Sequence, residues 1–419
     1  MSTNLAESPV PFFLDSKARR WVGGFFLLGT LIGPVGSLLI VWQYHVEPNP
    51  YLIGLHFLGV NAGYVIGIAF SQRVCARAPV RILAAFACVL AMLTSAALVF
   101  AYPPAAPELR LLGLGLIGLS AGVLTSCLLS ALYEVVVETS ILIVYQAVIL
   151  FGCGNLVATA IIGLTFFVAP MHLETLALAV VPCIYLVLFA TNAPPQPKRK
   201  PELQSNEKQL AEASRSLRSI SGVLFSTAVF LQFGNEWAVA GWLPLFLIRR
   251  FGTNPEWAVW ILVLYFFVLT FSRFFTRGLL ARVGLRKLLF GSVAVAITGC
   301  LDLSLADTLF SAWIDIVLVA IGFAPVYPVV MEALGNGSAY APEFYYGVFS
   351  MGMTGAMTAP WLLGFVDAAV GIGFVMFLPA LGCIAVLICA LLLILESHLM
   401  SDKRQASLTE FYGQASTSD

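Results

Sequence analysis

The sequence has little charge. Only 11% of its 419 residues are Asp, Glu, Lys or Arg, whereas 60% are hydrophobic and the mean hydropathy is +0.93. A soluble domain of this length needs far more charge to cover its surface. The shortage excludes an ordinary soluble globular protein and indicates an all-α protein that crosses a membrane many times.

Motifs of several other protein classes are also missing. The sequence has no GxxxxGK[ST] phosphate loop, and its eight cysteines form no CxxC pair. Histidines and cysteines form no cluster with metal-ligand spacing. The few basic residues lie in loops, which argues against nucleic-acid binding. We therefore expect no enzyme activity, no metal and no cofactor.

Twelve apolar runs are each long enough to cross a bilayer core, which takes about 20 helical residues. We number these spans 1 to 12 and expect them at roughly 22–44, 52–71, 80–101, 110–132, 140–168, 173–192, 220–247, 256–276, 287–305, 310–333, 345–368 and 371–396. The longest polar segment, 193–219, separates spans 6 and 7. The expected domains are a six-helix half over 1–192, a cytoplasmic linker over 193–219, a second six-helix half over 220–397 and a cytoplasmic tail over 398–419.

The distribution of basic residues predicts the orientation. The N-terminal segment has a basic cluster just before span 1 and no cleavage site, so we expect it to remain uncleaved and cytoplasmic. Nineteen of the 22 Lys and Arg residues then fall in cytoplasmic segments, and Arg110, Arg249 and Arg250 fall in outer loops. This bias is what the positive-inside rule requires. It places both termini in the cytoplasm and predicts that no basic residue lies deep in a span, so no basic partner is available there for a buried acid.

The two halves share a weak internal repeat. The loop after span 2 reads ARAPVRIL over 76–83, and the loop after span 8 reads ARVGLRKL over 281–288. Gly154 and Gly163 in span 5 have the same spacing as Gly355 and Gly364 in span 11. The offsets are 205 and 201 residues, about one half of the chain. Two matches at nearly one offset indicate pseudo-symmetric halves around a central site.

Span 7 contains the polar stretch FLQFGNEWAVAGWLPLFLI over 230–248. At about 100° per residue, Gln232, Asn235 and Glu236 fall on one face of the helix. Gly234, Ala238 and Gly241 fall on the opposite face, where small residues allow close packing against another helix. A carboxylate facing lipid is costly, so the polar face must meet other polar groups or a water-filled cavity.

Three roles fit Glu236 from its position alone. It could accept hydrogen bonds from a solute, or carry a proton, or act as a structural carboxyl bonded to Gln232, Asn235 or another helix. Intramembrane acids are functional by default, so we rank the first two roles ahead of the third.

The arrangement of spans and basic loops resembles the major facilitator superfamily over essentially the whole chain. Within it, the stretches FGNEWAVAGWLPLFL, GFAPVYP and GAMTAPWLLGFVDAAVG are similar to the fucose–proton symporter branch of sugar porters. The resemblance implies the twelve-helix fold in two halves and places span 7 beside the central cavity. It also implies an inner gate formed by the basic loops, with Arg77, Arg81, Arg282, Arg286 and Glu332 as candidates. Span 1 has no acidic residue, unlike those symporters, so proton coupling and uniport both stay open.

The leading hypothesis is transport of a small polar solute, a sugar or a related compound, by a monomer in the bacterial inner membrane. The candidate solute-binding residues are Gln232, Asn235, Glu236, Trp237, Asn155, Asn61, Tyr265 and Tyr327, with Glu236 also the candidate proton carrier. Packing explains Asn155, Tyr265 and Tyr327 about equally well, and it is also the alternative role for Trp237. Two alternatives remain: efflux of amphipathic drugs or metabolites, and a sensor that binds a solute without moving it.

Overall fold

The structure is a computed structural model of the full chain. It describes residues 16–74, 78–168, 173–192, 194, 219–335 and 342–415. Within these ranges, the side chains of 16–17, 133–144, 167–168, 332–335, 342–346 and 397–415 are outside the description. Most of the expected linker, 193–219, therefore lies outside the described residues.

Helices account for nearly all of the described chain, which contains no strand. They run over Ser16–Val22, Gly24–Ile32, Val35–Val41, Pro50–Val74, Val80–Ala97, Pro107–Val168, Leu173–Thr191, Ile220–Phe251, Pro255–Val283, Leu285–Leu305, Leu309–Phe323, Val326–Gly335, Pro342–Val370 and Phe377–Ala415, with short 3₁₀ turns at Leu98–Ala101 and Ile372–Phe374. In the described ranges, eleven helical segments are long and apolar enough to span a membrane. Span 7, Ile220–Phe251, is the twelfth, and its polar face lowers its hydropathy. The expected all-α fold of twelve spans is confirmed.

Several span boundaries differ from the expectation. Spans 4 and 5 belong to one continuous helix, Pro107–Val168, because residues 133–139 between them are also helical. The last helix extends to Ala415, past the expected end of span 12. The sequence beyond residue 396 is polar, but its backbone remains helical. A boundary predicted from hydropathy therefore ends the helix too early.

Prolines break two of the spans. Span 1 is interrupted between Ile32 and Val35, where Pro34 has no N–H to donate. Span 10 is interrupted between Phe323 and Val326, where Pro325 follows Ala324. Such breaks leave carbonyl groups without their helical partners, and these need other donors.

Short connections join other spans. Gly284 alone links Pro255–Val283 to Leu285–Leu305, and its φ of 85° is a conformation that L side chains rarely adopt. Thr308 caps the start of span 10, where its side chain accepts a hydrogen bond from the Ser311 N–H at 3.1 Å.

The chain divides into two compact units. One contains residues 1–200 and 243–270, and the other contains 201–242 and 271–419. Residues 243–270 form the end of span 7 and most of span 8. They group with the first unit because they contact span 5 there: a Cβ added at Gly152 would lie 2.5 Å from Thr270 Oγ1, and one at Gly163 would lie 3.3 Å from Trp260. The six-plus-six domain boundaries remain a prediction.

A corresponding backbone contact is present in each unit. In the first unit, a Cβ added at Gly154 of span 5 would lie 2.1 Å from the carbonyl oxygen of Phe26 in span 1. In the second, a Cβ added at Gly355 of span 11 would lie 2.1 Å from the carbonyl oxygen of Phe230 in span 7. Only glycine allows helices to approach this closely, so the repeated Gly154 and Gly355 of the sequence mark equivalent helix contacts.

Candidate functional site

The polar residues of span 7 lie at the middle of their helix. Ile220–Phe251 is 32 residues long, so its midpoint falls between Asn235 and Glu236. Gln232, Asn235 and Glu236 are 1%, 5% and 5% exposed. Polar groups buried this deeply need partners, and all three find them within the second unit.

Glu236 forms a buried ion pair with Arg273 of span 8. The Arg273 Nη2 donates to both carboxylate oxygens, at 2.7 Å to Oε1 and 2.6 Å to Oε2. Arg273 is 2% exposed and lies within a helix apolar enough to span the membrane, Pro255–Val283. The expectation that no basic residue lies deep in a span is therefore wrong. The distribution of basic residues groups Arg273 with the cytoplasmic residues at the end of span 8, but this helix continues ten residues beyond Arg273, and the side chain is buried.

Gln232 supports the same carboxylate. Its Nε2 donates to Glu236 Oε1 at 3.1 Å and to the carbonyl oxygen of Phe323 at 3.3 Å. Phe323 is the last residue before the break in span 10. Gln232 therefore connects the ion pair to the interrupted backbone of span 10, and the hydrogen bond that the sequence suggested between Gln232 and Glu236 is present.

Asn235 lies against span 12. Its Nδ2 is 3.6 Å from Cys383 Sγ, which makes a weak hydrogen bond. A Cβ added at Gly382 would lie 1.9 Å from Asn235 Oδ1, so the asparagine occupies the space that glycine leaves open. The polar face of span 7 thus contacts spans 8, 10 and 12 of its own unit.

The opposite face of span 7 packs on span 11. A Cβ added at Gly234 would lie 3.1 Å from Ala359 Cβ and 3.3 Å from the carbonyl oxygen of Gly355. The Trp242 indole N–H donates to the carbonyl oxygen of Pro360 at 2.8 Å. The predicted packing role of this face is confirmed at Gly234.

The aromatic candidates are buried. Trp237 and Tyr327 are each 2% exposed in the second unit, and the Tyr327 ring packs edge-on against Phe233 with centroids 4.9 Å apart. Tyr265 is fully buried in the first unit beside Phe266.

The two amide candidates from the first half belong to the first unit. Asn155 is 3% exposed, and a Cβ added at Gly33 would lie 2.6 Å from its Cα and 2.9 Å from its Oδ1. This oxygen has no hydrogen-bond partner in the described part of the chain. It lies beside the break in span 1 at Pro34. Asn61 is half-buried in span 2.

A family comparison settles the class of this protein. The model of the Major Facilitator Superfamily matches residues 22–354, well over half of the chain. The chain belongs to the major facilitator superfamily. It is therefore an integral membrane protein and a secondary transporter of a solute. No curated protein matches the sequence significantly.

Solved structures of the superfamily share this fold. The transporter FucP in its outward conformation matches with 18% identity and a TM-score of 0.64, and the match covers 90% of this chain and 98% of FucP. A variant of the E. coli fucose:proton symporter FucP matches with 18% identity over the same shares of the two chains and a TM-score of 0.62. The nucleoside transporter NupG matches with 14% identity, the same shares and a TM-score of 0.64. At these identities the likeness is one of fold.

The inner-gate candidates of this superfamily member are only partly described. Arg81, Arg282 and Arg286 are exposed at helix ends. Arg77 lies outside the described residues, and so does the side chain of Glu332. The inner-gate role stays a prediction.

A second buried arginine anchors a polar cluster in the first unit. Arg110 is 5% exposed and donates to the carbonyl oxygens of Ala101 at 2.7 Å and Ala105 at 2.9 Å, and to the Tyr44 hydroxyl at 3.0 Å. Tyr44 OH lies 3.2 Å from His56 Nε2, and His56 Nδ1 lies 2.6 Å from the carbonyl oxygen of Leu52. A carbonyl only accepts, so Nδ1 carries the proton, and Tyr44 donates to Nε2.

Hydropathy provides little signal for this cluster, because Arg110 lies at the boundary of span 4, where the distribution of basic residues places it in an outer loop. Burial and desolvation raise the pKa of Tyr44 above its usual value despite the neighbouring Arg110, which keeps its hydroxyl protonated and able to donate. Nearby, the Tyr102 hydroxyl donates to Glu174 Oε2 at 2.5 Å. Burial and this carboxylate raise the pKa of Tyr102 as well. These bonds connect the ends of spans 1, 2, 3, 4 and 6.

Proposed function

We propose that this transporter moves a small polar solute, a sugar or a related compound, across the bacterial inner membrane by alternating access. The solute would bind at the polar face of span 7, and proton movement would be coupled through Glu236. Asn155, Asn61, Tyr265, Trp237 and Tyr327 are proposed as the remaining contacts.

One observation carries the proposal: a buried carboxylate–guanidinium pair at the middle of span 7. Bringing two charges out of water costs several kcal/mol per ion, and well-packed apolar residues would hold the helices together as well or better. Charges kept at this depth therefore favour a role in handling polar or charged species. A site for amphipathic drugs would instead favour apolar contacts.

The class of solute is supported by the fold relatives. They include a fucose:proton symporter and a nucleoside transporter. A site built from one carboxylate, one guanidinium and carboxamides offers the donors and acceptors that hydroxyl groups require.

The ion pair also gives proton coupling a physical basis. Glu236 accepts two hydrogen bonds from Arg273 and one from Gln232, and its carboxylate is the counter-charge of the buried guanidinium. A proton that reached Glu236 would remove the charge that holds Arg273. The arrival of a proton at Glu236 would therefore be linked to the release of the Arg273 side chain from its ion pair.

Transport in vesicles tests the coupling. Glu236→Gln alone leaves a buried guanidinium without its counter-charge, a change that costs about 3–5 kcal/mol and endangers folding. The informative variant is therefore Glu236→Gln with Arg273→Gln, in which two neutral amides can still bond to each other. We expect it to lose accumulation driven by a pH gradient but to retain counterflow. Glu47→Gln, at an exposed position, is the matched control.

Accumulation that survives in the folded double variant would exclude Glu236 as the proton carrier and leave uniport.

A thermal-stability screen of the purified protein tests the solute class, because a ligand that binds the folded state raises its melting temperature. Shifts with sugars support the proposal. Shifts with lipophilic cations and none with sugars would replace it with drug efflux.

A further inference from the structure

We infer that Arg273 determines the charge selectivity of the solute site and, balanced by Glu236, selects uncharged solutes that present an oxygen acceptor. This inference rests on the proposed function and adds a residue to it. It follows from which atoms of the ion pair are already bonded and which are not.

The guanidinium has donors to spare. Both of its hydrogen bonds to Glu236 use Nη2. Its Nε is buried and has no hydrogen-bond partner in the described ranges. Arginine more commonly binds a carboxylate with two nitrogens in a fork, which uses more of its five donors. A buried N–H without a partner is costly, and a ligand that supplies an acceptor removes that cost.

By contrast, both oxygens of the Glu236 carboxylate already accept hydrogen bonds. Oε1 accepts from Arg273 and from Gln232, and Oε2 accepts from Arg273. The nearby carbonyl of Phe323 also accepts from Gln232. What this group of side chains lacks is therefore an acceptor. A hydroxyl, ether or carbonyl oxygen of a solute would supply it.

The charge balance selects among the possible acceptors. Glu236 and Arg273 together contribute no net charge, and Gln232 is neutral. A solute carboxylate or phosphate would add an unbalanced negative charge to this buried group, and a solute amine would add a positive one. Both carry a desolvation cost that an uncharged oxygen avoids. An uncharged polyhydroxylated molecule fits both requirements.

The test is a comparison of matched probes on purified full-length protein. We would use glucose, galactose, fucose and ribose as uncharged probes, glucuronate and galacturonate as acids, and glucosamine and galactosamine as amines. The melting temperature is measured against probe concentration. For the unmodified protein we expect at least one uncharged sugar to bind about tenfold or more tightly than its acid or amine counterpart, the scale of one hydrogen bond to a charged group.

Variants of the pair should then move the preference in opposite directions. Arg273→Gln leaves Glu236 alone and should favour amines, whereas Glu236→Gln leaves Arg273 alone and should favour acids. The double change to glutamine should restore the preference for uncharged sugars with weaker binding. Arg273→Lys keeps the charge but loses the planar donors, so binding should weaken while the charge preference stays.

Two surface variants make the same changes in net charge away from the site. Lys287 and Glu47 are exposed, so Lys287→Gln and Glu47→Gln should leave the charge preference of the solute site unchanged. If either single variant of the pair does not fold, the double variant and Arg273→Lys still test the inference. The double variant must keep the preference for uncharged sugars, and Arg273→Lys must bind them more weakly than the unmodified protein does.

The outcomes separate the two proposals. Sugar binding whose charge preference is the same in every folded variant would overturn the role of Arg273 and leave the sugar hypothesis in place. Tighter binding of an acid or amine by the unmodified protein would also overturn it. Absence of binding by every probe would reject the sugar class itself, and with it this inference.

Discussion

Among the residues that the structure describes, two arginines are buried, one in each compact unit, and they are neutralised in different ways. Arg110 lies near the end of span 4 and is held by two backbone carbonyls and the Tyr44 hydroxyl. Arg273 lies inside span 8 and is held by the Glu236 carboxylate. Free carbonyls are available at a helix end and in the 3₁₀ turn beside it, but not inside a regular helix. A guanidinium within a span therefore needs a side chain of opposite charge.

Under the proposed function, this difference separates a structural role from a functional one. Two backbone carbonyls, which do not titrate, hold Arg110 together with the Tyr44 hydroxyl. In the proposed coupling, a proton that reached the carboxylate of the second site would remove the counter-charge of Arg273.

The largest expected effect comes from leaving Arg273 unpaired. Glu236→Ala removes its carboxylate, and we expect a loss of about 3–5 kcal/mol in stability, because a buried charge without a counter-charge is strongly unfavourable. Asn155→Ala in the first unit should cost far less, since the Asn155 Oδ1 has no hydrogen bond to lose. Melting temperatures in detergent measure both. Equal losses would show that the ion pair contributes no special stability.

The second expected effect tests whether the two units share a backbone design. Gly154→Ala and Gly355→Ala each place a methyl group 2.1 Å from a carbonyl oxygen of the neighbouring helix. The backbones must separate, and we expect similar losses of about 1–3 kcal/mol for the two variants. Thermal unfolding of both proteins gives the comparison.

A third glycine provides the matched control for this pair. Gly291 is in the interior of span 9, and a Cβ there would meet nothing within 4 Å. Gly291→Ala should be neutral or slightly stabilising, because alanine has the higher helix propensity. A large difference between Gly154→Ala and Gly355→Ala would contradict the equivalence of the two helix contacts.

The sequence was sufficient for the fold and for one part of the site. Hydropathy located the spans, and the periodicity of span 7 separated the packing residue Gly234 from Gln232 and Glu236. The equal spacing of glycines in spans 5 and 11 led to Gly154 and Gly355, whose contacts now match.

The partner of Glu236 could not be found in the same way. Arg273 follows FVLTFS and precedes FFTRGLL, so it stands close to the basic loop after span 8, and a charge count assigns it to that loop. Its burial depends on the length of span 8 beyond it and on the approach of span 7, both of which are tertiary properties. The Arg110 cluster is not predicted for the same reason, since it joins the ends of spans 1, 2, 3 and 4.

The smallest expected effect concerns Tyr44, the uncharged partner of Arg110. Tyr44→Phe removes one bond from Arg110 and the bond to His56, but the two backbone carbonyls continue to hold the guanidinium. We expect a loss of about 1 kcal/mol, the usual net contribution of such hydrogen bonds. This is well below the cost of removing Glu236, and a loss as large would show that Arg110 depends on its side-chain partner as much as Arg273 does.

The pH dependence of stability gives Tyr44 a second and independent readout. Its pKa is raised in the folded protein above the usual value of 10.0, so the folded state retains a proton that the unfolded chain has already released. Stability should therefore fall as the pH rises above about 10, through the interval up to the folded pKa. Tyr44→Phe should make this alkaline decline less steep. It should introduce no new pH dependence of stability between about pH 6 and 9, because that range lies below the tyrosine pKa. An unchanged alkaline slope in Tyr44→Phe would mean that Tyr44 does not hold its proton more tightly in the folded protein than in the unfolded chain.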